Sequence, residues 1–137
     1  MKQITPYLIF DGNCRDAMTF YKQCIGGELS TTTFGEGEPS SPPEAKDRLM
    51  HARLERGSTL LMASDSMQGM PVNRGNNFFL SIACDSVDEV KKLFASLSAG
   101  GKPSMPPADT FWNAHFAMFT DKFAMNWMLN FEYPKKT

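Results

Sequence analysis

The chain has no run of basic residues, no acidic tail and no apolar stretch near the ~20 residues that a membrane span needs. Its 14 basic and 15 acidic residues are dispersed and leave a formal charge of −1. Nothing here would neutralise a row of phosphates, so neither nucleic acid nor membrane is an expected partner. Cysteine is scarce and odd in number. Cys14 and Cys24 fall on one expected helix, about 15 Å apart at 1.5 Å per residue, which is too far to bridge. The opening residues MKQITPYLIF lack a signal peptide's apolar core and small-residue cleavage site, and a reducing cytoplasm is the expected compartment. No Gly-x-Gly-x-x-Gly joins a strand to a helix, and no Ser-His-Asp, Cys-His or paired-carboxylate spacing is present. What is present is ample material for a core, 42% apolar with 12% aromatic, in a length suited to one domain or two small modules.

Residues 4–10 alternate as a strand around Tyr7 and Ile9. Asn13 then offers an N-cap with Asp16 at the third helical position. Cys14, Ala17, Met18, Tyr21 and Ile25 form an apolar stripe that Gly26-Gly27 ends. Leu29 to Phe34 reads as a β-branched strand, and Gly35 to Asp47 as a loop dense in Gly, Pro and Ser. Leu49–Glu55 and Ser58–Ser64 read as a hairpin about Arg56-Gly57. The second half repeats the order: strand 78–84, a cap at Ser86 with Glu89 three residues on, and a helix carrying Val87, Val90, Leu93, Phe94 and Leu97 up to Gly100-Gly101. Strands near 103–111, 113–120 and 124–131 complete it. Asp16 meets Glu89, Ala17 meets Val90 and Tyr21 meets Phe94 at one offset of 73, and the Gly-Gly pairs match at 74. A duplication follows, expected as a βαβββ module over 1–65, a linker over 66–77 and a second module over 78–137. In the last strand Met125, Trp127, Leu129 and Phe131 point one way, and Asn126, Met128 and Asn130 the other.

The duplicated βαβββ order resembles the vicinal oxygen chelate superfamily, which contains glyoxalase I, extradiol dioxygenases and bleomycin-resistance proteins. The chain is more specifically similar to its PhnB-like subgroup. Pro6-Tyr7, Phe10, Gly12-Asn13-Cys14, Ala17 and Tyr21 carry the likeness at the start; Phe111-Trp112, Phe116, Thr120-Asp121-Lys122-Phe123, Trp127-Met128 and Asn130 carry it at the end. Ala124 departs from the Gly common in that turn, and a reshaped turn is expected there. The resemblance implies an α+β fold of two modules, with curved mixed sheets and helices on their outer face. It also implies a homodimer, whose pairing would cover open sheet edges.

In metalloenzymes of the superfamily each module supplies one ligand from its first strand and one from its last. The alignment places those positions on Pro6, Met62, Phe79 and Met128, none a ligand for a hard metal. Neither metal nor cofactor is therefore expected. Met62 and Met128 together offer soft thioethers, for which filling gaps is the ordinary role. His51 and His115, with Arg53 and Glu55 on the face of His51, are weak candidates for a relocated metal or for acid/base work; partly exposed strand residues are the plainer reading. Arg53 suits an anionic ligand, or else pairs with Glu55. Phe10, Phe79 and Trp112, with Phe111, are placed at a ligand cavity or its mouth. Ser64, Ser81, Asn126 and Asn130 supply its polar groups. Asp65 and Asp121 read as turn or cap residues. The favoured function is binding of a small molecule without a metal. The alternatives are a lyase-, isomerase- or dioxygenase-like enzyme, and a methyltransferase, against which the missing glycine-rich motif argues.

Overall fold

The computed structural model describes residues 1–135; the last two residues of the expected second module, 136–137, lie outside the described residues. The chain divides into two compact units, Met1–Asn73 and Arg74–Thr137. In the first unit β1 (Tyr7–Phe10) leads to α1 (Cys14–Ile25), β2 (Glu28–Thr33), a short α2 (Phe34–Gly37), β3 (Leu49–Arg56) and β4 (Thr59–Asp65). The sheet order is β1-β4-β3-β2, with β1 parallel to β4 and the other pairs antiparallel. The second unit runs β5 (Leu80–Ala83), α3 (Val87–Leu97), β6 (Lys102–Asp109), β7 (Ala114–Thr120) and β8 (Asn126–Glu132). Its order, β5-β8-β7-β6 with only β5 and β8 parallel, repeats that of the first. The fold is α+β, two βαβββ modules. No helix among the described residues is long and apolar enough to cross a membrane.

Each sheet buries one face under its helix. In the first unit Cys14, Ala17, Met18 and Tyr21 of α1 are fully buried, and so are Phe10, Ala52 and Ala63 of the sheet; Leu8, Leu54 and Leu61 are nearly so. Val90 and Leu97 of α3 are buried in the second unit with Ala117, Phe119, Trp127 and Leu129, and the Phe94 ring meets Phe119 edge-on at 5.7 Å. Burial of each large side chain contributes roughly 1.5–3 kcal/mol. The predicted stripes therefore mark the helix-packed faces.

Several local readings change. Gly35–Asp47 is not wholly loop: Thr33 and Glu36 form a capping box that starts α2, and Pro43–Ala45 makes a 3₁₀ turn. Asn13 does not cap α1 with its side chain. The Asp65 carboxylate at the end of β4 does so instead, accepting from the Cys14 and Gly12 amides at 3.0 and 2.8 Å and from Leu49 at 2.8 Å. The turn before β8 is not reshaped by Ala124, which adopts the left-handed φ of 68° itself. Ser86 caps α3 as expected, its hydroxyl accepting from the Glu89 amide at 3.0 Å.

Candidate functional site

Strand register decides which side chains share the open face of each sheet, the one turned away from its helix. In the first unit Tyr7 stands beside Met62, Ile9 beside Ser64, Arg53 beside Met62, and Thr32 beside His51. This face is mostly polar. The Tyr7 hydroxyl and His51 Nδ1 are hydrogen-bonded at 3.0 Å, with their rings 5.7 Å apart. Arg53 donates through Nε to the Glu55 carboxylate, so its charge is already matched along its own strand. Ser64 is almost fully buried and Met62 half-buried.

The open face of the second unit is built differently. Ser81 stands beside Met128, Ala83 beside Asn130, Phe116 beside Asn130, and Met118 between Met128 and Met105. Trp112 in the β6–β7 turn packs edge-on against Phe116 at 5.5 Å and against Phe111 at 5.0 Å, so three rings form one partly exposed cluster at the end of this face. Asn126 is fully engaged: its Oδ1 accepts from Thr120 Oγ1 at 2.8 Å and its Nδ2 donates to the carbonyls of Gly75 and Phe78. It fastens the approach to β5 and is not a group waiting for a ligand. Asn130 differs, because its side-chain oxygen is buried with no partner among the described residues. Phe79 precedes β5 by one residue, is half-buried, and has the strand parity of Ser81.

Two candidates move off the open faces. Phe10 was expected at the cavity, but it alternates with Tyr7 and Ile9 and is completely buried on the helix side. His115 does not share a face with Met118 or Met128, since its odd position places it with Ala117 and Phe119 on the helix-packed side, 8% exposed. There Nδ1 donates to Asp109 Oδ1 at 2.9 Å, and the Tyr133 hydroxyl donates to the same oxygen at 2.6 Å. These two hydrogen bonds hold the Asp109 carboxyl below the usual carboxylate range, and Asp109 in turn raises the Tyr133 phenol. The His115 Nε2 is buried without a partner among the described residues. His51 lies on an open face and His115 on a helix-packed one, so the two strands do not present a matched pair.

Pro6 and Phe79 lie one residue before β1 and β5, outside the paired strands. The open-face neighbour of Met62 is Tyr7, not Pro6, whose carbonyl accepts from the Met62 amide at 3.1 Å. The neighbour of Met128 is Ser81, not Phe79. Neither Pro6, Met62, Phe79 and Met128 nor the neighbours Tyr7 and Ser81 make a donor set that fits a divalent metal held by His and carboxylate. Among the described residues no three of His, Cys, Asp and Glu come together as a metal-holding group. A shallow cleft of about 500 Å³ at the Gly27 and Gly57 end of the first sheet takes in Glu55 and Arg56 but none of the aromatic candidates.

Sequence reasoning missed Tyr7, Phe116, Met105 and Met118 as open-face residues, and Asp109 and Tyr133 as partners of His115. Period two counted outward from Met62 and Met128 across each hairpin identifies the first set. Nothing local in the sequence marks the second, whose members come from three separate segments.

A fold of two βαβββ units with their helices on one face of each sheet is that of the Glyoxalase/Bleomycin resistance protein/Dioxygenase superfamily. The model of that family matches residues 3–129, and the chain belongs to it. Protein YjdN of Escherichia coli K12 is 33% identical, with 93% of each chain covered. Among solved structures, protein PA1353 from Pseudomonas aeruginosa is 45% identical with a TM-score of 0.85, covering 96% of this chain and 98% of its own. The PhnB protein from Bacillus cereus shares the fold at a TM-score of 0.79 and 23% identity, over 95% of this chain and 99% of its own.

Proposed function

We propose that the protein binds a small, flat, largely apolar molecule against an open sheet face, without the divalent metal of its superfamily's enzymes, and that it works as a cytoplasmic homodimer. The observation that carries this reading is the make-up of the two parallel-strand pairs on the open faces, Tyr7 beside Met62 in one unit and Ser81 beside Met128 in the other. These are walls and hydrogen-bonding groups, not hard-metal donors. Phe116 and Trp112 supply ring faces for stacking, and Asn130 supplies a buried oxygen that lacks a donor. A ligand bringing an N–H or O–H to that oxygen would recover the cost of leaving it unpaired, roughly 1–3 kcal/mol. Dimerisation is supported by the open edges that each four-stranded sheet leaves.

The test is titration calorimetry with a panel of small aromatic compounds on protein stripped by chelator, repeated with Zn²⁺, Ni²⁺, Mn²⁺ or Fe²⁺ restored. Saturable binding that is unchanged by the metals supports the reading; binding that appears only with a divalent metal overturns it. Sedimentation at micromolar concentration checks the dimer, which a monomeric mass would contradict. The Tyr7–His51 hydrogen bond favours a second reading, an enzyme moving a proton at His51. Turnover of any bound compound that is abolished in His51→Ala would establish it.

A further inference from the structure

We propose that Met105, Met118 and Met128 form a binding site for a soft monovalent metal ion, Cu(I) or Ag(I), on the open face of the second sheet. Met105 is the register partner of Met118 on the neighbouring strand, and Met118 is the register partner of Met128. Met118 and Met128 therefore stand side by side on one face of β7 and β8, and Met105 stands beside Met118 on β6, between two register irregularities of that strand. Directly opposed side chains on adjacent strands have Cβ atoms ~4.5–5.5 Å apart. The three rotatable bonds of Met let neighbouring sulfurs swing together around one ion above the central Met118. The outer two reach it from either side.

The chemistry of the row selects the ion. Thioether sulfur is soft and uncharged, so it suits Cu(I) and Ag(I) and disfavours hard divalent ions, which want oxygen donors or charge compensation. The flanking rows on the same face are Ala108, Phe116, Asn130 and Ala83 on one side, and Lys102, Thr120 and Asn126 on the other. Neither carries a carboxylate. Met105 is 44% exposed while Met118 and Met128 are half-buried, which leaves the row open to an ion from solvent at its β6 end. The first unit provides an internal comparison. There Met62 has Tyr7 and Arg53 as its register partners, so a single thioether sits beside a cation. Among the described residues the methionines are neighbours in this way on the second sheet and not on the first.

Thiols are the competing soft ligands in this chain. Cys14 and Cys84 are buried, and burial pushes their thiols up to about 12 and about 11, so they stay protonated at neutral pH. Cys24 is half-buried and is removed for the test. This site is independent of the small-molecule reading and would stand if no organic ligand were found.

The experiment uses full-length Cys24→Ser protein with ¹³C-labelled methionine methyls, titrated with silver nitrate. A parallel anaerobic titration with Cu(I) is carried out against a colorimetric chelator. The expected result is saturation at one ion per chain, with three of the ten methionine methyl signals moving together. Met118→Leu, a swap of similar volume that a packed sheet tolerates, is expected to weaken binding by about tenfold or more, about 1.4 kcal/mol. Met62→Leu is expected to leave binding unchanged. Absence of one-to-one saturation, or equal affinity in Met118→Leu, would overturn the site.

Discussion

At the scale of single residues, two buried carboxylates, Asp65 and Asp121, each gather three N–H donors. Asp65 takes three backbone amides, from Gly12, Cys14 and Leu49, and so ties the start of α1 and the start of β3 to the end of β4. Asp121 takes the amides of Phe123 and Met125 and the indole N–H of Trp127, fixing the turn into β8. Asp65→Ala would leave three amides without their acceptor and is expected to cost about 3 kcal/mol or more in urea denaturation, since each hydrogen bond to a charged group contributes ~1.5–3 kcal/mol. The sequence suggested a turn or cap role for both. It could not show that Asp65 displaces Asn13 as the cap, because local spacing sees only residues near the helix and Asp65 arrives from a distant strand. The Asp109–His115–Tyr133 cluster belongs to the same scale. Asp109 has a lowered pKa in the folded chain, so its contribution to stability is present above the ordinary carboxylate pKa and is lost as pH falls through its folded value. Tyr133→Phe removes the largest cause of that shift. Carboxyl titration by NMR should then find the Asp109 pKa moved back up towards the ordinary value.

At the scale of elements, alternation and helical stripes were legible because burial is periodic. The phase of β1 was not. Tyr7 and Phe10 are three residues apart and so face opposite ways; only pairing with β4 shows that Phe10 is the one beneath α1. The Gly-Gly stops carry a second meaning that spacing alone did not reveal. A side chain at Gly27 would come within 2.4 Å of the Glu55 carbonyl oxygen, and one at Gly101 within 2.2 Å of that of Thr120. In each module the chain entering its second strand passes hard against the backbone of the third. Gly101→Ala is therefore expected to destabilise by about 2 kcal/mol, as backbone must move to admit the methyl group. Ala124 makes the opposite case. Its φ of 68° costs an L-residue roughly 1–2 kcal/mol, so Ala124→Gly should stabilise by about 0.5–1 kcal/mol once the added chain entropy is offset. Chemical denaturation of both variants checks the two signs together.

At the scale of the whole molecule, the repeated βαβββ order was readable because caps, stops and apolar stripes recur in one order, and the two sheets share one strand order. Divergence between the copies was less readable. The first open face carries Tyr7, His51, Arg53 and Glu55, while the second carries Phe116, Asn130 and a row of methionines. That contrast exists only once strands are set in register. The central claim is that ligand binding belongs to these faces. Methionine-methyl NMR tests it most directly, because Met62, Met105, Met118 and Met128 report from the open faces while Met18 is fully buried under the first sheet's helix side. On titration with an aromatic compound that binds in calorimetry, the open-face methyl signals of at least one unit, Met62 in the first or Met118 and Met128 in the second, should shift saturably and Met18 should stay in place. Shifts at Met18 with the open-face methyls unmoved would contradict the account.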